Sequence, residues 1–95
     1  MKKFLLLTVG FDPPTPEDMA LWNDWFASLK DVLVKHEGLH AGKEVTKDGV
    51  VDLPFGLEAN TGYMIIEAES LDEAVGIAKR GPIVTSTRVY EIRSM

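Results

Sequence analysis

The sequence predicts an α+β fold of the ferredoxin-like kind, in which one antiparallel sheet carries two helices on a single face. Three observations lead there. The segments at residues 4–9 (FLLLTV) and 62–68 (GYMIIEA) are apolar on both faces, whereas a strand with one wet face alternates apolar with polar. Only two stretches carry helical spacing together with capping signals. The elements follow one another as β-α-β-β-α-β, the split βαβ arrangement. Right-handed crossovers place both helices on the same side and the first and third strands in the middle of the sheet. Those central strands are the two doubly apolar segments, so the side without helices is apolar and a second copy of the chain is its expected cover.

The elements are justified in order. Residues 3–9 form the first strand, with Phe4 and Leu6 pointing one way and Leu5, Leu7 and Val9 the other. Pro13 and Pro14 end it, because consecutive prolines cannot continue a ladder. Thr15 is suited to cap a helix, Pro16 to its first position, and Glu17 and Asp18 to the positive end of its dipole. Met19, Trp22, Trp25, Phe26, Leu29, Val32 and Leu33 then recur at helical spacing, which predicts a helix running on to a stop at Gly38. Asp48-Gly49 between residues 44–47 and 50–53 predicts a hairpin with a two-residue turn. Residues 54–61 read as a loop and residues 62–68 as a strand, in which Tyr63 and Ile65 oppose Met64, Ile66 and Ala68. Ser70 and Glu73 form a capping-box pattern ahead of a second helix lined by Leu71, Ala74, Val75 and Ala78. Lys79, Arg80, Gly81 and Pro82 close that helix, and the last strand is expected over residues 87–93.

Length and composition narrow the function. Ninety-five residues make one domain, 1–95, which buries only roughly two thirds of its unfolded surface and gains from association. Fifteen acidic against ten basic residues give a net charge of −5, the wrong sign for nucleic acid. With no cysteine, the chain has no disulfide framework, thiol nucleophile or cysteine metal site. The opening MKKFLLLTVGF has the lysines and apolar run of a signal peptide, but it meets Asp12-Pro13-Pro14 with no small-residue cleavage site and reads better as a strand. No run approaches membrane-spanning length. The expected setting is the cytoplasm.

Few residue patterns carry chemistry. His36-Glu37-Gly38-Leu39-His40 matches H-E-x-x-H, a zinc pattern only when both histidines share one helical face and a third ligand follows. With the helix stopping at Gly38, His36 complements the helix dipole, His40 starts a strand, and no metal site is expected. A His40–Asp52 acid/base pair fails a similar test. A turn at Asp48-Gly49 puts Asp52 opposite Val45, about 17 Å from His40 and on the other face of the hairpin. Trp22 and Trp25 lie one turn apart and read as core stripe, or else as the wall of a cleft between helix and sheet. Asp12 opens a turn before Pro13, or faces such a cleft. Tyr63, Arg88 and Tyr90 sit on strands, where Arg88 is placed to pair with Glu67 or Glu91 or to hold a carboxylate ligand.

Four stretches, taken together and in this order, resemble the YCII-related (DGPF-domain) family of the dimeric α/β-barrel group. They are MKKFLLLTVG; Asp52-Leu53-Pro54-Phe55, which answers to the family's Asp-Gly-Pro-Phe; Gly62-Tyr63-Met64-Ile65-Ile66-Glu67; and Ser70-Leu71-Asp72-Glu73-Ala74 followed by Arg88-Val89-Tyr90-Glu91-Ile92-Arg93. The resemblance implies ferredoxin-like subunits whose sheets pack face to face in a homodimer, in a family of mostly unassigned activity. Two departures stand out: Leu53 replaces the glycine, and the stretch between Phe55 and Tyr63 is short. One branch of the family uses a histidine of the first helix with an aspartate; this chain has Trp22 and Asn23 there, so that dyad is not carried over.

The resulting expectation is a homodimer through the open sheet face that handles a small molecule. Asp12, His40 and Asp52 are its catalytic candidates for proton transfer without metal or organic cofactor, and Trp22, Trp25, Tyr63 and Arg88 its ligand-binding candidates. A non-catalytic dimeric metabolite-binding or regulatory module is the alternative. A cofactor-free monooxygenase ranks third, on analogy of fold alone.

Overall fold

The structure, a computed structural model, describes residues 1–93. Along the chain run β1 (Lys2–Val9), α1 (Pro16–Ser28), β2 (Leu33–Gly38), β3 (Gly42–Thr46), β4 (Gly49–Leu53), β5 (Asn60–Ala68), α2 (Leu71–Lys79) and β6 (Ser86–Glu91). Four strands form an antiparallel sheet in the order β2-β5-β1-β6, while β3 and β4 pair only with each other. The four-stranded body is the ferredoxin-like α+β arrangement, with the doubly apolar strands β1 and β5 at its centre. The β3–β4 ribbon is inserted between its second and third strands.

Register explains which side chains reach the core. Leu5 pairs with Ile65 and Leu6 with Met64 across β1 and β5. Phe4, Leu6, Met64, Ile66 and Ala68 are buried against Trp25, Leu29, Ala74, Ile77 and Ala78 from the helical side. Leu5, Leu7, Tyr63 and Ile65 fall on the opposite face. Val9 departs from the simple alternation: a register shift between Thr8 and Val9 interrupts the ladder with β5, and Val9 is buried.

The helices start where their caps predict. The Thr15 hydroxyl accepts from the Asp18 amide at 3.1 Å, and the Asp18 carboxylate accepts from the Thr15 amide at 3.0 Å. Ser70 accepts from the Glu73 amide at 3.2 Å, but the Glu73 carboxylate takes the amide of Glu69 rather than that of Ser70. On α2 the buried residues are Ala74, Ile77 and Ala78, while Leu71 is exposed. Gly81 follows because the Trp25 indole lies against it: a Cβ there would sit 2.6 Å from the ring.

The end of the first helix overturns the expectation. The helix stops at Ser28, not at Gly38, and Met19 on the expected apolar stripe is exposed. Val32 and Leu33 amides donate back to the Leu29 carbonyl at 2.9 and 2.8 Å, closing a turn. The chain then enters β2, where residues 33–38 pair with β5. Apolar residues at 29, 32 and 33 satisfy a helix stripe or a turn leading into a strand equally well. What decides is the edge of β5, whose backbone groups take β2 as their partner.

The hairpin exists, but its turn lies one residue earlier than expected, which shifts every cross-strand partner by two. Thr46 pairs with Gly49, so Lys47-Asp48 rather than Asp48-Gly49 form the turn, and Asp52 lies opposite Lys43 instead of Val45. The Thr46 hydroxyl accepts from the Asp48 amide at 3.2 Å and donates to the Gly49 carbonyl at 3.3 Å. Gly49 supplies the positive φ, +151°, at the start of the return strand. The base of the ribbon is tied to the body. Gly10 and Phe11 amides donate to Ala59 and Gly56 carbonyls at 2.7 and 3.0 Å, and the Thr85 hydroxyl donates to the Leu57 carbonyl. Phe55 packs between Phe11, at 4.6 Å between ring centroids, and His40, at 5.1 Å.

Candidate functional site: the cleft between helix and sheet

Where α1 passes over the end of the sheet, two glycines face each other: Gly38 of β2 pairs with Gly62 of β5, and Gly62 with Thr8 of β1. These positions continue the helix-facing side occupied by His36 and Met64. With no side chain at either glycine, the sheet surface drops away and leaves a cleft of about 190 Å³. A Cβ on Gly62 would come within 3.3 Å of the Thr8 hydroxyl and 3.2 Å of the Glu37 carbonyl oxygen. The glycine therefore keeps the floor open, as a glycine inside a strand often does where another group approaches.

Aromatic side chains wall the cleft. Trp22, Trp25 and Phe26 pack on one another with centroids 5.7–6.0 Å apart. Only Trp22 and Phe26 reach the opening. Trp25 is buried, and its indole N–H donates to the Ile77 carbonyl at 3.2 Å. The two readings of the pair thus divide between the two residues: Trp25 is core and Trp22 is wall. The His36 ring leans on Phe26 at 4.7 Å, which fixes an imidazole at the mouth. At the floor the Thr8 hydroxyl contacts that of Thr61 at 3.2 Å and donates to the Gly62 carbonyl at 3.1 Å.

On the other side of the same strands, the sheet face without helices, lies a small charged network. The Tyr63 hydroxyl donates to the Glu37 carboxylate, and Lys35 lies 3.5 Å from the same carboxylate. The Tyr63 hydrogen bond, then the Lys35 charge, hold the Glu37 carboxyl below its ordinary range. The same hydrogen bond raises Tyr63, while interactions with Tyr63 and then Glu37 raise Lys35. Glu37 is the shared partner: Tyr63 and Lys35 both favour its carboxylate, and its hydrogen bond with Tyr63 favours the protonated phenol.

Of the residues singled out in sequence, Trp22 lines this cleft; Tyr63 borders it from β5, but its side chain lies on the opposite face of the sheet. His40 and Asp52 lie elsewhere, yet the shift in hairpin pairing brings them nearer: only Ala41 and Gly42 separate His40 from Lys43, the partner of Asp52, and both line one open hollow of about 460 Å³. The spacing stays odd, but β3 begins only at Gly42, so His40 lies outside the ladder and strand alternation does not assign it a face. Asp52 is committed to Lys43 in an ion pair exposed to water. His40 also borders a larger hollow of about 660 Å³ beneath the ribbon, with Leu39, Leu53, Leu57 and Glu58. Asp12 is exposed on the loop after β1 and lines none of the three. Arg88 stands opposite Leu7 on the helix-free face; neither Glu67 nor Glu91 pairs with it, and Glu91 is met instead by Lys2 at 3.9 Å.

His36 is the residue sequence reasoning missed. Placed on a helix it appeared as a dipole complement, whereas on β2 it shares the face of Met64 and reaches the cleft. The H-E-x-x-H segment is strand and connector, so helical spacing between its histidines does not exist; His40 belongs to neither β2 nor β3. The available signal was Gly62 inside an otherwise apolar strand.

No family model matches the chain, and no curated protein matches it. Among solved structures, its fold is similar to 5-chloro-2-hydroxyhydroquinone dehydrochlorinase (TftG) from Burkholderia phenoliruptrix AC1100 in complex with 2,5-dihydroxybenzoquinone. That match has a TM-score of 0.63 at 18% identity, covering 96% of this chain and 93% of that one. At this identity the likeness shows the fold alone, the ferredoxin-like α+β arrangement. No helix among the described residues is long and apolar enough to cross a membrane.

Proposed function

We propose that this chain is a homodimeric small-molecule enzyme of the YCII-related type, working by proton transfer in the cleft between α1 and the sheet. The observation that carries the reading is the combination of paired glycines, which clear a floor, with an imidazole held by Phe26 at its mouth. Imidazole is the side chain suited to taking and giving a proton near neutrality. A flat ring fits this geometry: its face lies against the Trp22 indole, its hydroxyl groups meet the Thr8–Thr61 pair, and one edge turns to His36. The quinone ligand of the similar structure is of that shape and supplies a probe. His36 replaces His40, Asp12 and Asp52 as the proposed acid/base, because those three lie outside the cleft. The homodimer is supported by Leu5, Leu7 and Ile65 on the sheet face without helices, flanked by Lys35 and Glu37 at one edge and Arg88 and Tyr90 at the other. A two-fold partner across that face is the economical cover.

The test uses 2,5-dihydroxybenzoquinone, with tryptophan fluorescence reporting binding and exchange of its ring hydrogens into deuterium oxide reporting proton transfer. The probe is expected to quench Trp22 in the native chain and to lose that effect in Gly62→Val, with the far-ultraviolet circular dichroism unchanged. His36→Ala is expected to keep the quenching and slow the catalysed exchange by about 100-fold. Equal quenching in Gly62→Val removes the cleft as the site. Exchange unaffected by His36→Ala, with binding intact, turns the reading to the non-catalytic metabolite-binding module.

A further inference from the structure

The β3–β4 ribbon is built unlike the rest of the molecule. All ten of its strand residues are exposed, including Val45 at 77%, Val50 at 61%, Val51 at 56% and Leu53 at 46%. Among the described residues the two strands pack on each other and on no other helix or strand. The Cα radius of gyration, 14.4 Å, exceeds the roughly 12–13 Å of a compact domain of this length. A two-stranded ribbon alone in water is marginal at best. Resting on the homodimer reading above, we infer that this ribbon is an arm that packs on the second copy of the chain, through the face bearing Val45 and Val50.

Area argues for that occupant. The helix-free sheet face is four strands wide and six to nine residues long, roughly 400–550 Å² at ordinary strand spacing and rise. A stable interface takes about 800 Å² from each partner. One face of the ribbon supplies roughly 170 Å². In a two-fold dimer that area counts twice for each copy, because each lends an arm and receives one. The arms thus bring an undersized sheet contact into the standard range. Continuity and charge agree with this. The ribbon leaves directly from β2, an edge strand of the sheet, through residues 39–41. Val45 pairs with Val50 and, on the same face, Lys43 with Asp52, so the only charges on that face close on each other. The other face carries Glu44 and Leu53, both of which border the hollow beneath the ribbon.

Sedimentation equilibrium of Val45→Lys/Val50→Lys beside Ile65→Lys tests the arm separately from the sheet contact. Val45 and Val50 touch nothing in the body, so the arm variant keeps the native circular dichroism. Its dimer dissociation constant is expected to rise by about tenfold or more. The chain has no cysteine, so a polarity-sensitive dye on Val50→Cys reports the arm's surroundings, and its emission is expected to shift to the red as dimers are diluted apart. An arm variant with an unchanged dissociation constant, beside an Ile65→Lys variant that falls to monomers, overturns the arm and leaves the sheet-face dimer standing. A native chain that is monomeric at every concentration, its dye reporting water throughout, overturns both.

Discussion

The body of this protein and its β3–β4 arm are made from the same materials and end in opposite environments. Both are antiparallel strands rich in branched apolar residues, and both are held by regular pairing. In the body, β1 and β5 bury Phe4, Leu6 and Ile66 completely beneath two helices. In the arm, three valines and a leucine meet water. The contrast shows that strand pairing by itself secures little. The body is stable because a second layer removes its apolar surface from water; the arm has pairing without a second layer and depends on what it meets.

Four substitutions sharpen or break this comparison, beginning with the largest effect. Phe4→Ala, inside the body, is expected to cost about 3–5 kcal/mol. Val51→Ala, in the arm, should stay within about 0.5 kcal/mol for the isolated subunit. Urea unfolding at a protein concentration low enough to favour monomers measures both, and equal losses would show that the arm already belongs to the core. Next, Gly81→Ala pushes a methyl group into the Trp25 indole, against which the Ile77 carbonyl also bonds. About 1–3 kcal/mol should be lost, with Trp25 emission shifted; a neutral result would mean that the ring moves aside freely.

The smallest effect concerns the Lys35–Glu37–Tyr63 network on the helix-free face. Tyr63→Phe removes the hydrogen bond that contributes most to holding Glu37 low, so the Glu37 carboxyl should titrate higher, as followed by carboxylate carbon NMR. The sign is defined. A carboxyl lowered in the fold contributes stability above its unfolded value and loses it as pH falls through the folded one. A phenol raised in the fold contributes below its ordinary value and loses it as pH rises through the folded one. An unmoved Glu37 in Tyr63→Phe would assign its shift to Lys35 alone.

Much of the body was legible in the sequence because its signals are local and agree. Thr15, Pro16 and Asp18 mark one helix start and Ser70 another, and apolarity on both faces singled out β1 and β5 as central strands. The cleft was half legible. Trp22 and Tyr63 were named, but His36 was assigned to a helix because residues 29, 32 and 33 fit helical spacing. His40 and Asp52 were kept apart by a one-residue error in the turn. Moving the turn by one residue shifts every cross-strand partner by two without changing faces, and Asp48-Gly49 fits the turn motif as well as the observed Lys47-Asp48 does.

The amino-acid sequence alone determined the element types, the helix starts and the two innermost strands, because capping and side-chain alternation act over a few residues. Tertiary structure decided where α1 ends, which register the hairpin takes and which imidazole faces the cleft. Each of those depends on a partner far along the chain: the edge of β5 recruits β2, the paired glycines empty the space before His36, and no local pattern encodes that edge or that space.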